Sequence, residues 1–226
     1  MHNLDFKTDF LHSSLQTWFS DDASVKVAKI GDFPILEEEQ AMVNNAIASR
    51  RQEFATGRWC ARKALESIEQ PAMPIRVGPL REPLWPPGII GTITHDVGYC
   101  AVVVMSSQDH AIMNIGIDLI GLNERRGQLD GTEKLFVFND LELASMKKLN
   151  PDIEPALLLF SLKESFVKAM SRDVGDFIDM AELELLISSK GNYVRLNKKI
   201  FKSDLLVVED DGLLLTAVKI YKPVIA

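Results

Sequence analysis

Phe160-Ser-Leu-Lys-Glu-Ser-Phe-Val-Lys-Ala-Met170 carries the helical period in both its apolar and its polar residues. Wound on a helix, Leu158, Leu162, Phe166 and Ala169 fall on one arc, while Ser161, Glu164, Ser165 and Lys168 gather on the opposite one. The helix therefore has a core face and a polar face, with Lys163 at the edge of the apolar arc. Glu164 and Lys168 stand one turn apart, and taken alone such a pair is what a solvated helix face carries. The stripe is also chemically mixed, a carboxylate and an ammonium with hydroxyls beside them, so the rest of the chain has to decide between a surface and a site.

Working outward, residues 139–149 and 155–170 read as two helices, the first capped by Asn139 or Asp140 with Glu142 behind. After Asp179 the period shortens to two, which predicts strands over 183–187, 193–196, 205–208 and 213–220, with turns at Lys190-Gly-Asn192 and Asp210-Asp-Gly212. Upstream, Asn114-Ile-Gly-Ile-Asp-Leu-Ile-Gly121 reads as a strand with Ile115, Ile117 and Leu119 on one face and Gly116, Asp118 and Ile120 on the other. Asp118 interrupts an apolar strand. A carboxylate there is costly without a partner, and either a divalent cation or a cap on the following loop would supply one. Residues 121–133 form a polar loop that includes Glu124.

Further upstream, three acids at 37–39 open a long helical segment that runs through Arg50, Arg51, Arg58 and Arg62. On a continuous helix Arg51, Arg58 and Arg62 share a face, and Gly57 offers a place for a kink. Several guanidiniums on one side are either a solvated basic face or a clamp for phosphates. Residues 71–87 are proline-rich and read as an ordered connector that includes Arg81. Two strands follow, at 88–96 and 99–105, the first ending in Thr94-His95-Asp96. Residues 1–35 show a partial helical or strand face and no chemistry.

Composition bounds what this pattern can mean. The chain has 226 residues, 46% hydrophobic and 25% charged, enough for one large or two small globular domains. A net charge of -7 argues against general nucleic-acid binding, which needs a basic face. No apolar run is long enough for a membrane span, and the start lacks the form of a signal peptide, so the expected location is cytoplasmic. Cys60 and Cys100 show no metal-ligand spacing and read as reduced core residues.

Several of these stretches, in order, resemble the 4'-phosphopantetheinyl transferases, enzymes that move the phosphopantetheine arm of coenzyme A onto a serine of a carrier protein. Residues 160–170 match the family's Lys-Glu-x-x-x-Lys signature, Gly116-Ile-Asp118 its Gly-Ile-Asp, and Thr94-His95 its Ser/Thr-His. Arg50, eight residues before Arg58 of the Gly57-Arg58 pair, and Glu82-Pro-Leu-Trp-Pro-Pro-Gly88 are similar to the enterobactin-synthase-component-D-like branch.

The resemblance implies an α+β fold of two similar α/β subdomains in a pseudo-twofold arrangement, residues 1–110 and 111–226, joined near 107–114, with the substrate between them. It implies coenzyme A contacts from Arg50, Arg58, Arg81, Thr94 and His95, and magnesium as the cofactor. Glu164 and Lys168 are then the catalytic pair. Most of the family reads Gly-Ile-Asp-x-Glu, and here Ile120 stands in the Glu position, where it cannot ligate. Another branch replaces that ligand with the residue after the His, so the expected metal set is Asp118, Glu164 and Asp96, with Glu124 as an alternative to Asp96. The implied partner is an acyl, peptidyl or aryl carrier protein, of siderophore, nonribosomal-peptide or other synthesis, met by a monomer. Two other readings stay open: a degenerate member that binds coenzyme A or a carrier without transfer, and an unrelated α+β binding module.

Overall fold

The computed structural model describes residues 6–108 and 111–222. The chain divides into two compact units, Met1–Asp109 and His110–Ala226. In the first unit α1 (Phe6–Phe19) leads to β1 (Ala23–Lys29), the short α2 (Glu37–Gln40), α3 (Ala48–Ser67), β2 (Arg76–Val77), β3 (Pro83–Leu84), β4 (Ile89–Asp96) and β5 (Tyr99–Ser106). β5 lies between β1 and β4 in an antiparallel sheet, while β2 and β3 pair as a separate hairpin inside the proline-rich connector. α1 buries Leu11, Leu15 and Phe19, a stripe at helical spacing, and packs on β1 and β5. α3 packs Cys60, Ala61, Ala64 and Leu65 against Cys100, Val102 and Val104 of β5. Both cysteines are free and buried.

The long helix expected from Glu37 is interrupted by turns over residues 41–47. Glu39 explains the break. Its carboxylate is fully buried and accepts hydrogen bonds from Leu36 N (3.2 Å), Ile75 N (3.0 Å) and Arg62 Nη1 (2.6 Å), so three segments fix the path of the chain there. Arg62 thereby leaves the expected arginine face: it is buried and occupied by Glu39 and by the Pro34 carbonyl at 2.6 Å. α3 runs unbroken through Gly57. A Cβ there would stand 3.3 Å from Ile93 Cγ2, so the missing side chain lets the helix approach β4.

The second unit runs β6 (Ile112–Gly121), α4 (Leu122–Arg125), α5 (Asp140–Leu149), α6 (Pro155–Val174), β7 (Glu184–Ser188), β8 (Gly191–Leu196), β9 (Lys199–Asp210) and β10 (Leu213–Tyr221). Its five-stranded antiparallel sheet has the order β6-β10-β9-β8-β7. β9 is longer than the apolar run at 205–208 because its first half, which pairs with β8, sets its two apolar residues Ile200 and Phe201 side by side and so shows no apolar alternation. α5 is capped by the Asn139 side chain, which accepts from Leu141 N and Glu142 N. α6 starts with Pro155 in its first turn and stops at Gly175, which is left-handed with φ 67°. The polar loop expected after β6 opens with the single turn α4.

α6 packs on β6 and β10 on one side and carries α5 on the other. That double contact corrects the expected division into a core face and a solvated face. Leu158, Leu162, Phe166 and Ala169 are in the core as the period predicts, but Ser161, Ser165 and Lys163 are fully buried as well. Lys163 Nζ donates to Glu142 Oε2 at 2.9 Å and to the Met180 carbonyl at 3.1 Å. Among the described residues no helix is long and apolar enough to cross a membrane.

Candidate active site

Gly116 decides where the chemistry of the second unit can sit. A Cβ at this position would lie 1.9 Å from the Ser165 carbonyl oxygen, so only glycine lets the α6 backbone rest directly on β6. Two residues along, on the same strand face, Asp118 is carried under α6 with 5% exposure. Its Oδ1 accepts from Lys168 Nζ at 2.6 Å and its Oδ2 from Ser161 Oγ at 2.8 Å. Burial would penalise the Asp118 charge, and these two donors offset it.

Glu164 lies one helical turn before Lys168 and is half-buried. Burial pushes its carboxyl above the usual range; the charge of Lys168 opposes that shift, Asp118 adds to it and Arg125, at the end of α4, opposes it. Two carboxylates that repel each other across a lysine suit a divalent cation. Magnesium is commonly held by one or two carboxylates together with phosphate oxygens, and Asp118 with Glu164 fits that pattern. Among the described residues no three His, Cys, Asp or Glu side chains form a group that could hold a metal ion. Ile120 is buried in the core beside α6, which explains why the strand tolerates an apolar residue there. Glu124 is exposed on α4.

In the first unit a cavity of about 490 Å³ is lined by Arg50, Arg58, Arg81, His95 and Glu53, with Phe54, Ile93 and Val77 among its apolar walls. Arg58 has only 6% exposure and sits 4.4 Å over the Phe54 ring. Its Nε has no hydrogen-bond partner. Burial lowers its pKa from 12.5 to about 10, Glu39 acting to raise it and the neighbouring Arg50 charge to lower it. A buried guanidinium with an unused donor on a cationic cavity is matched to an anion.

Arg50 Nη1 donates to His95 Nε2 at 2.9 Å and to Glu53 Oε2 at 3.0 Å. Nε2 therefore accepts, and the ring proton belongs on Nδ1, which faces Glu53 Oε2 at 3.7 Å. Arg81 reaches the cavity from the β2–β3 turn, where its backbone is left-handed with φ 69°.

Strand alternation separates the rest of the Thr-His-Asp triplet. Ile93 and His95 pair with Val102 and Cys100 on the face covered by α3, whereas Thr94 and Asp96 pair with Ala101 and Tyr99 on the other face. Thr94 is buried, and Asp96 Oδ1 accepts from Val97 N at 3.0 Å within the β4–β5 turn. Arg51 is exposed on α3. Two contributors were not singled out from sequence. Glu53 is signalled only by its one-turn spacing from Arg50. Thr216, directly opposite Asp118 on β10, is signalled by being a lone hydroxyl in the apolar run 213–218.

One unit thus presents a cationic cavity for a polyanion, and the other a carboxylate and ammonium centre of the kind that handles phosphoryl groups. Residues 38–105 match the 4'-phosphopantetheinyl transferase N-terminal domain and residues 114–218 the 4'-phosphopantetheinyl transferase superfamily domain. The chain belongs to the 4'-phosphopantetheinyl transferase family.

Among its relatives, 4'-phosphopantetheinyl transferase Svp of Streptomyces mobaraensis is 36% identical over 156 residues, covering 68% of this chain and 61% of Svp. The transferase PptT of Mycobacterium tuberculosis is 42% identical over 83 residues, 37% of this chain and 36% of PptT. Enterobactin synthase component D of Salmonella typhi is 29% identical over 129 residues, 57% of this chain and 52% of that protein. The chain thus spans less than two thirds of each of these three relatives.

Proposed function

We propose that this protein transfers the 4'-phosphopantetheine arm of coenzyme A to a serine of an acyl, peptidyl or aryl carrier protein. The observation that carries the reading is the buried Arg58 guanidinium with its unused Nε, set among Arg50, Arg81 and His95. Coenzyme A brings a 3'-phosphate and a diphosphate, more negative charge than one arginine neutralises. Arg50, Arg58, Arg81 and His95 hold those phosphates. Thr94 lies on the opposite face of β4 from His95, so its part is to support the strand end beneath the cavity-lining histidine.

In the second unit Asp118 and Glu164 would hold magnesium; Asp96 is the third ligand that the resemblance adds, and among the described residues no three carboxylates form such a group. Magnesium there would supply charge neutralisation for the diphosphate. Lys168 adds positive charge where negative charge develops. The carrier serine oxygen forms a bond to the β-phosphorus, the bond from that phosphorus to the bridging oxygen breaks, and 3',5'-ADP leaves. A carboxylate that ligates the ion is a poor base, so Glu164 would take the serine proton only where it does not ligate; its burial, which raises the carboxyl, suits that role. Arg50 with Gly57-Arg58, and Glu82-Pro-Leu-Trp85, favour the enterobactin-synthase-like branch, so siderophore and other nonribosomal-peptide carriers are the first to test.

A second reading, coenzyme A or carrier binding without transfer, is favoured by one observation, the apolar Ile120 packed where the resemblance leads one to expect a carboxylate. Incubating the protein with apo carrier domains, coenzyme A and magnesium, and weighing the carrier by intact-protein mass spectrometry, separates the two. Transfer predicts a metal-dependent gain of one phosphopantetheine. No gain on any carrier type while coenzyme A still binds leaves the binder.

A further inference from the structure

Thr216 lies on β10 opposite Asp118, and the hydroxyls of Thr216, Ser161 and Ser165 are enclosed between α6 and the sheet, each residue with 0% exposure. Ser161 Oγ is 2.8 Å from Asp118 Oδ2, Thr216 Oγ1 is 2.9 Å from Ser161 Oγ, and Ser165 Oγ is 2.8 Å from Thr216 Oγ1. Hydrogen counting fixes the direction of this chain. An ionised carboxylate only accepts, so the single Ser161 proton points at Asp118. Ser161 Oγ then has only lone pairs to offer Thr216, whose proton must point toward Ser161, where Oγ and the Ser161 carbonyl at 3.0 Å share it. Thr216 Oγ1 in turn accepts from Ser165, whose proton the Thr216 carbonyl at 3.3 Å also shares. Three hydroxyls thus donate in sequence toward one oxygen of Asp118, and each link polarises the next.

We infer that Thr216 is a positioning residue for the metal site: it holds the Ser161 hydroxyl on Asp118 Oδ2, which with Lys168 on Oδ1 fixes the plane of the carboxylate that would serve the cation. This rests on the proposed magnesium-dependent transfer. The same geometry explains why a threonine sits in an otherwise apolar strand and why two serines face the sheet from α6. A carboxylate held by donors behind it has one orientation to offer a metal. A carboxylate without them has several, and ligands whose outer partners are removed typically lose about 10- to 100-fold in metal affinity.

The test measures Mn²⁺ binding to the full chain by electron paramagnetic resonance, with and without coenzyme A, for the parent protein and for Thr216→Val, Thr216→Ser and Ser161→Ala. Valine keeps the shape and removes the hydroxyl. The expected result is Mn²⁺ binding weakened about 10- to 100-fold in Thr216→Val, restored in Thr216→Ser and weakened again in Ser161→Ala, with metal-free coenzyme A binding unchanged throughout. Should Thr216→Val fail to fold, Ser161→Ala, which cuts the chain at its last link from the helix side, carries the same comparison. Parent protein and Ser161→Ala binding Mn²⁺ equally would overturn the inference while leaving the transferase reading intact. A parent protein that binds no Mn²⁺ under either condition would overturn the metal reading first and this inference with it.

Discussion

Glu164 shows how one side chain can be tuned for a reaction at the expense of the fold. Its carboxyl is raised above the ordinary 4.5 mainly by burial, with Lys168 pulling the other way. In the unfolded chain the proton leaves near 4.5, whereas the folded chain holds it to higher pH. Folding therefore takes up protons in the window from 4.5 up to the folded value, and stability falls as pH climbs through that window. Above it the penalty of a buried charge is complete. Glu164→Gln removes the penalty, so this variant should melt higher than the parent at pH 7 to 8, by on the order of 1 kcal/mol. The advantage should shrink as pH is lowered toward 4.5, and thermal melts across that range check the sign. Transfer by the same variant should drop by at least about 10² in rate. A parent and variant that melt alike at every pH would mean that the carboxyl is solvated in the folded chain.

At the scale of elements, the second unit depends on how closely α6 lies on β6, and Gly116 sets that distance. A methyl group there would meet the Ser165 carbonyl at 1.9 Å and Ala169 N at 3.0 Å, both backbone atoms with no side chain to swing aside. Gly116→Ala should therefore lower stability by about 3 kcal/mol, at the upper end of overpacking. It should also weaken metal binding, because Asp118 and Ser161 are carried on the two elements forced apart; chemical denaturation and a metal titration of one preparation read both.

The same contact shows what the sequence could and could not tell. The periods placed α6 and β6, and the motif order placed Asp118, Glu164 and Lys168 in one unit, because spacing along a helix or strand fixes which residues share a side. Spacing does not say what each side meets. Ser161, Ser165 and Lys163 looked polar and are buried, since α6 is covered by the sheet on one side and by α5 on the other. Arg62 looked like part of a phosphate clamp and is held by Glu39, a partner 23 residues away that no local pattern couples to it. Arg50 and Arg58 shared a cavity with His95 only once the β4 strand had been laid against α3.

For the molecule as a whole, the question is whether two units act on one substrate. Arg50, Arg58, Arg81, His95 and Asp96 belong to the first unit, and Asp118, Glu164 and Lys168 to the second. Asp96 is the residue that the resemblance adds to the metal set, while the described residues form no group of three ligating side chains. It also has a local task, accepting from Val97 N in a turn whose residues Val97 and Gly98 are left-handed with φ 42° and 84°. Asparagine at this position separates the two roles, because its Oδ1 keeps the hydrogen bond of the turn and only the charge is lost. Asp96→Asn is expected to melt like the parent and to need about 10-fold more magnesium for half-maximal transfer, with metal-free coenzyme A binding unchanged. The carrier-mass assay run over a magnesium series measures this directly. A superimposable titration would confine Asp96 to its turn and leave Asp118 and Glu164 to hold the ion with phosphate and water alone.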